Sequence, residues 1–148
     1  MTAYSLHDSL GYRLSLASRL QERRLDEQLK TLGLTRIMWC VLLGVGNEGL
    51  TQPSDLAQFV GIDRTATSRA LKQMEAMGLV ERQSGKTDRR TTRVGLTAAG
   101  RDALDAGVPM AQANNEMMDA KLSPAERQDL RRLLARITEG EPVSLPQL

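Results

Sequence analysis

Residues 61–82 read GIDRTATSRALKQMEAMGLVER. Gly61-Ile62-Asp63 has the composition of a turn, and Asp63 is a natural N-cap for the segment that follows. From Arg64 to Met77, apolar residues recur at spacings of three and four: Ala66, Ala70, Leu71, Met74 and Met77. That spacing predicts a helix with those side chains turned inward. Gly78 stops it at a position that needs left-handed geometry. Leu79-Val80-Glu81-Arg82-Gln83 then reads as a short strand. The other edge of the helix carries Arg64, Thr65, Thr67, Ser68, Arg69 and Lys72.

The preceding segments are helical as well. Thr51 is expected to cap a short helix with Pro53 in its first turn, where a missing N–H costs nothing. Leu56, Ala57 and Val60 form its inner face. Thr35 caps a helix from Arg36 to Val45, apolar at Ile37, Met38, Val41, Leu42 and Val45 and ended by Gly44, Gly46 and Gly49. Before that, Leu6 to Leu32 has the amphipathic spacing of a long helix, with Gly33 at its end. Its length is about 40 Å at 1.5 Å per residue, more than one small domain covers, so part of it is expected to pack on another chain.

Thr91 to Leu96 reads as a second strand, weakened by Gly95. Ser84 to Arg90 joins the two strands as a basic loop containing Gly85, which makes a hairpin with a long tip. Thr97 caps a further helix beginning Ala98-Ala99-Gly100, and Pro109 is expected to kink or interrupt it. Ser123-Pro124-Ala125-Glu126 is a capping box with proline at the first helical position. Leu130, Leu133, Leu134 and Ile137 stripe the last helix, and the segment from Gly140, with Pro142 and Pro146, reads as irregular.

Composition narrows the class. The chain has 148 residues, one domain's length, with ordinary hydrophobic (41%) and charged (26%) content that argues against wholesale disorder. One cysteine excludes an intrachain disulfide framework, and one cysteine with one histidine leaves little for a metal cluster. No metal and no cofactor are expected. No run approaches eighteen apolar residues and the first residues lack a signal-peptide pattern, so the expectation is a cytoplasmic protein without a membrane partner. Net charge is +2, but residues 63–93 hold eight Lys/Arg against four Asp/Glu. A basic segment on a mildly acidic body points either to a polyanion partner or to a solvated helix face.

Short helix, turn, second helix and β-hairpin make the winged helix-turn-helix arrangement, so the fold class is mainly α with a small β-hairpin wing. A helix N-terminus rich in small polar and basic side chains suits a DNA major groove. Arginine can read guanine bidentately, and serine or threonine can contact base or phosphate. At the hairpin tip, Lys86-Thr87-Asp88-Arg89-Arg90 offers guanidinium groups to a narrow minor groove.

These motifs resemble the MarR family of bacterial transcriptional regulators. The resemblance rests on Gly61-Ile62-Asp63, on the run from Leu71 to Arg82, on Asp88-Arg89-Arg90, and on Val94-Gly95-Leu96-Thr97-Ala98-Ala99-Gly100. The last two look like the family's D-x-R … L-T-x-x-G pattern. The order of helices agrees over residues 6–138. The resemblance implies a homodimer on a pseudo-palindromic double-stranded DNA operator, with half-sites about one helical turn apart. It divides the chain into dimerisation helices (6–32 and 97–138), a winged helix-turn-helix lobe (35–96) and an irregular tail (140–148). The implied DNA contacts are Gln52, Ser54, Arg64, Thr65, Thr67, Ser68, Arg69, Lys72, Arg82, Lys86, Asp88, Arg89 and Arg90. Arg90 is implied in the minor groove, with Asp88 fixing the wing. The residue-level alternatives are a solvated Arg69 and Lys72, a division of work between Arg89 and Arg90, and Asp88 as a plain turn residue.

Many MarR-like proteins release DNA when a small anionic aromatic compound binds between the dimerisation helices and the DNA-binding lobe. The corresponding wall here is the helix of Ile37–Leu43 with the first helix. Met38 and Trp39 would supply apolar contact, and Arg13, Arg19 or His7 would meet a carboxylate. Against this, the plainer reading has Trp39 in the core and the arginines solvated. Cys40 invites a redox-sensor reading, but it lies in an apolar run where a structural thiol is the plainer account. An enzyme is not expected: there is no Gly-rich phosphate loop, no nucleophile–base motif, and a single histidine. A winged-helix protein-interaction module is the remaining rival, and the basic segment argues against it.

Overall fold

The computed structural model describes residues 3–84 and 92–148. In chain order its elements are α1 (Leu10–Lys30), α2 (Arg36–Gly46), α3 (Pro53–Val60), α4 (Arg64–Ala76), β1 (Val80–Ser84), β2 (Thr92–Leu96), α5 (Ala98–Asp119) and α6 (Pro124–Thr138). The two strands pair antiparallel from Val80↔Leu96 to Ser84↔Thr92.

Side-chain caps set most helix starts. Thr35, Asp63, Thr97 and Ser123 accept from the backbone N–H of Met38, Ala66, Gly100 and Glu126, three residues on in each case. At Ser123 the capping box is complete, with Glu126 Oε2 accepting from the Ser123 amide at 2.8 Å. Gly78, at φ +72°, ends α4: the Gly78 amide donates to the Glu75 carbonyl and the Leu79 amide to that of Met74.

Several boundaries depart from the sequence expectation. α1 starts at Leu10, not Leu6, because Ser9 caps it through the Tyr12 amide. Leu6 instead closes a turn, its carbonyl accepting from both the amide and the hydroxyl of Ser9. Thr51 does not cap α3. Gln52 holds that position without a side-chain bond, and Pro53 is the first helical residue. The Thr51 carbonyl accepts from the Val94 amide at 2.7 Å, which ties the hairpin to the start of α3. Met77 is exposed, since it follows the last turn of α4 and leaves the inward stripe. Pro109 does not interrupt α5, which runs through it for 22 residues. Packing on α1 and α2 outweighs the backbone bond that proline removes.

The core is built where α2, α3, α4 and the hairpin meet: Val41, Leu42, Leu56, Leu71, Met74, Val80 and Val94, with Leu29 from α1 and Leu104 from α5. Each such side chain contributes about 1.5–3 kcal/mol on burial. The two longest helices, α1 and α5, are joined to each other by polar contacts too. Asn114 of α5 is buried, donates to the Gln21 carbonyl at 3.2 Å and accepts from Arg24 Nε at 3.1 Å. Among the described residues, no helix is long and apolar enough to cross a membrane.

Candidate nucleic-acid interface

The second helix of the helix-turn-helix, α4, is fixed at its start and along its inner face. Its start is anchored by Asp63, whose Oδ1 accepts from the Ala66 amide at 2.7 Å. Ala66, Ala70, Leu71 and Met74 are buried and seat the inner face. Arg64, Thr65, Ser68, Arg69 and Lys72 are all exposed on the outer face. Residues 64, 68 and 72 are spaced by four, as are 65 and 69, so they form adjoining rows along one surface.

Thr67 is a departure from the expected contact set. It is 1% exposed, and its hydroxyl donates to the Asp63 carbonyl at 2.9 Å. Its hydroxyl is committed to the backbone one turn back, and the residue lies at the floor of the α3–α4 cleft and not on the exposed outer rows. The signal was present in the sequence, because Thr67 lies between Ala66 and Ala70 and four residues before Leu71, within the apolar stripe.

Gln52 and Ser54, at the start of α3, are exposed beside this edge. Pro53, Ser54, Arg64, Thr67, Ser68, Leu71 and Arg82 line a cleft of about 410 Å³ where α3, α4 and β1 converge. Arg82 braces that junction. Its Nη2 donates to the Ser68 carbonyl at 3.5 Å, and its Nε lies 3.2 Å from the Glu75 carboxylate. The Nε is shielded from solvent and makes an ion pair without hydrogen-bond alignment. Arg82 therefore arrives at the cleft with its charge already partnered by α4. Lys86, Asp88, Arg89 and Arg90 lie outside the described residues.

The expected effector residues are not gathered at one place. Met38 and Trp39 are buried in the core. Trp39 also borders a crevice of about 360 Å³ between α1 and α2, shared with Leu25, Arg36 and Cys40. Arg13 is twelve residues from Leu25, about 18 Å along the helix, and its Nε donates to the His7 carbonyl. Arg19 is exposed, its Nε donating to the Ser15 carbonyl. Neither lines this crevice. The guanidinium that does is Arg36, which sequence reasoning passed over as the first residue of a helix. It pairs with Glu22 at 3.0 Å and with Asp26 at 2.7 Å, both on α1. Burial pushes the Cys40 thiol above its ordinary pKa, and Arg36 draws it partly back.

A capped α3–turn–α4 unit, an outer edge of polar and basic side chains on α4, and a hairpin tied back to α3 define a winged helix-turn-helix protein. Residues 32–91 match the model of the MarR family. The solved structures similar to this chain include a probable transcriptional regulator from Pseudomonas aeruginosa. It is 29% identical, with a TM-score of 0.81, covering 90% of this chain and 99% of that one. A mutant of E. coli MarR complexed with operator DNA is 25% identical with a TM-score of 0.78, over 86% of this chain and 92% of that one. Bordetella bronchiseptica BpsR, whose DNA binding is regulated by 6-hydroxynicotinic acid, is 23% identical with a TM-score of 0.85, over 95% and 100%. The chain has the fold of MarR-family transcriptional regulators, and its residues 32–91 are similar to that family.

Proposed function

We propose that this protein is a sequence-specific DNA-binding repressor that acts as a homodimer on a pseudo-palindromic operator. The observation that carries this reading is the outer edge of α4. Arg64, Thr65, Ser68, Arg69 and Lys72 are all solvent-facing on a helix whose inner face is locked into the core. Such a helix can enter a major groove without unfolding anything, and its guanidinium, ammonium and hydroxyl groups suit base edges and phosphates. Gln52 and Ser54 extend the surface towards the backbone of the duplex. The likeness to an E. coli MarR complexed with operator DNA supports the same use here.

Dimerisation through α1, α5 and α6 is part of the reading. It is supported by the stripe of Leu130, Leu133, Leu134 and Ile137, which is left exposed on α6 in the single chain. Release by a small aromatic or anionic effector is the regulatory half, and the crevice bordered by Trp39 and Arg36 is where we place it. Burial keeps Cys40 protonated at neutral pH and gives no support to a redox-responsive regulator.

The test is fluorescence anisotropy on the upstream intergenic DNA, with a scrambled duplex as control, from low to physiological salt. Tight binding to the upstream duplex alone, persisting at physiological salt, is the expected result. No binding at any salt would overturn the reading in favour of a protein-interaction module. Equal, salt-labile binding to both duplexes would overturn its sequence specificity.

A further inference from the structure

The segment beyond α6 is built to lie against the helix-turn-helix. Gly140, at φ +77°, turns the chain out of the helix. Pro142 and Pro146 bracket Val143-Ser144-Leu145. Each proline favours extended backbone in the residue before it and offers no N–H of its own, so only a very short pairing strand is possible between them.

Leu145 makes that pairing. It forms a parallel bridge with Ile62, its amide donating to the Gly61 carbonyl and its carbonyl accepting from the Asp63 amide, both at 3.0 Å. Ile62 is buried, and Asp63 is the N-cap of α4. The bridge therefore grips the turn that sets where the recognition helix begins. Val143 Cγ1 sits 3.2 Å from where a Cβ on Gly61 would be, so the glycine leaves room for the segment to approach. Three residues past the bridge, the Leu148 carbonyl accepts from Arg36 Nη2 at 3.4 Å. Leu145, Gln147 and Leu148 there line the crevice that Trp39 borders. One short segment thus spans the turn at one end and the α1–α2 crevice at the other.

We propose that residues 143–148 form an intramolecular strap that pins the turn between α3 and α4 and links the state of the α1–α2 crevice to the start of the recognition helix. The consequence for DNA rests on the repressor reading above. With the strap seated, the Asp63 amide is bonded and the first turn of α4 is held. With it displaced, that amide is open to water and the start of α4 has more freedom to lose on docking.

The experiment compares amide hydrogen exchange and operator binding in the intact chain, in Leu145→Pro, in Leu145→Ala and in a chain ending at Gly140. Leu145→Pro removes the amide donor and keeps the chain length. Leu145→Ala keeps both backbone bonds and loses a side chain that is 57% exposed. The segment contributes nothing to the buried core, so every variant is expected to fold. The expected result is exchange at Asp63 about tenfold faster in Leu145→Pro and in the truncated chain, with Ala70 to Met74 unchanged. Leu145→Ala behaves like the intact protein. Operator Kd rises about fivefold in the first two variants. Equal Asp63 exchange in the intact and truncated chains would overturn the strap. Faster exchange with unaltered Kd would overturn its link to DNA binding. An exchange difference in a protein that binds no DNA at any salt would overturn the repressor reading and leave the strap supported.

Discussion

The indole of Trp39 fills the space that a side chain at position 107 would need. A Cβ on Gly107 would meet two carbons of the ring at separations real Cβ atoms do not keep, with a third in tight contact. Helix α5 can lie against α2 only because this position carries no side chain. A glycine-to-alanine change inside a helix ordinarily stabilises by about 1 kcal/mol. Here overpacking wins, and Gly107→Ala is expected to destabilise by about 1–2 kcal/mol. Gly100→Ala is expected to cost more, about 3 kcal/mol, because its Cβ would run into the Leu79 backbone carbonyl, which cannot rotate away. Denaturant melts followed by the lone tryptophan check both values, and the reverse ranking would contradict this account.

Thr65 and Thr67 separate the outer and inner faces of α4. Thr67→Val keeps the shape and removes the bond to the Asp63 carbonyl, so it is expected to cost about 1 kcal/mol of stability. Thr65→Val is expected to leave the melting temperature within a degree or so and to weaken operator binding. Thermal melts and anisotropy on the same two variants decide it. A Thr67→Val protein of unchanged stability would place that hydroxyl outside the core.

The helix order and four of the caps were legible in the sequence because each depends on neighbours within four residues, and the hairpin because its strands follow one another across a polar loop. Asp63 caps Ala66, and Ser123 and Glu126 close on each other. What could not be read depended on distant partners. Thr51 looks like a cap, yet its carbonyl serves Val94, 43 residues on. Arg36 looks like a solvated helix start, yet its role is set by Glu22, Asp26 and Leu148. Pro109 reads as a break, and only the surfaces of α1 and α2 keep α5 continuous. Residues 140–148 carry no periodicity, so their bridge to Ile62 has no local signature.

Arg69 and Lys72 differ in what they are able to read. Both are exposed on the outer face of α4. If Arg69 contacts a guanine, Arg69→Ala costs about 1–3 kcal/mol and relaxes preference at one operator position. Lys72 suits a phosphate, so Lys72→Ala is expected to weaken all sequences alike and to reduce the slope of log K against log salt by about 0.9. Salt titrations of both variants on matched and mismatched operators separate the two roles. An unchanged slope for Lys72→Ala would remove it from the interface.

Cys40 predicts a pH signature. Its pKa in the folded chain lies above the ordinary thiol value, chiefly through burial. A folded-state pKa above the unfolded one means the native state holds the proton more tightly. Its stabilising contribution is then complete below the unfolded thiol pKa of about 8.5 and is lost as pH rises through the folded value. Stability is therefore expected to fall at alkaline pH, with Cys40→Ala showing a shallower decline. Alkylation by iodoacetamide is expected to be slow at pH 7 and to accelerate only above the ordinary thiol range. Rapid alkylation at pH 7 would contradict the buried, protonated thiol.

The apolar stripe of α6 is the surface on which the proposed dimer would close. Leu130, Leu133, Leu134 and Ile137 are each 39–46% exposed, although their spacing is that of a buried helix face. Burying them against a second copy would recover about 25 cal/mol for every Å² of apolar surface removed from water. One charge at the centre of that stripe opposes this directly. Leu134→Asp is expected to convert a dimer of twice 16.3 kDa into single chains, read by light scattering at micromolar concentration. The winged-helix lobe does not depend on Leu134, so the variant should keep its helical circular dichroism. With two half-sites no longer engaged by one particle, operator affinity should fall by about 100-fold or more, while weak binding to a single half-site survives. A monomeric Leu134→Asp protein that bound the full operator as tightly as the intact one would overturn the symmetric reading of the interface.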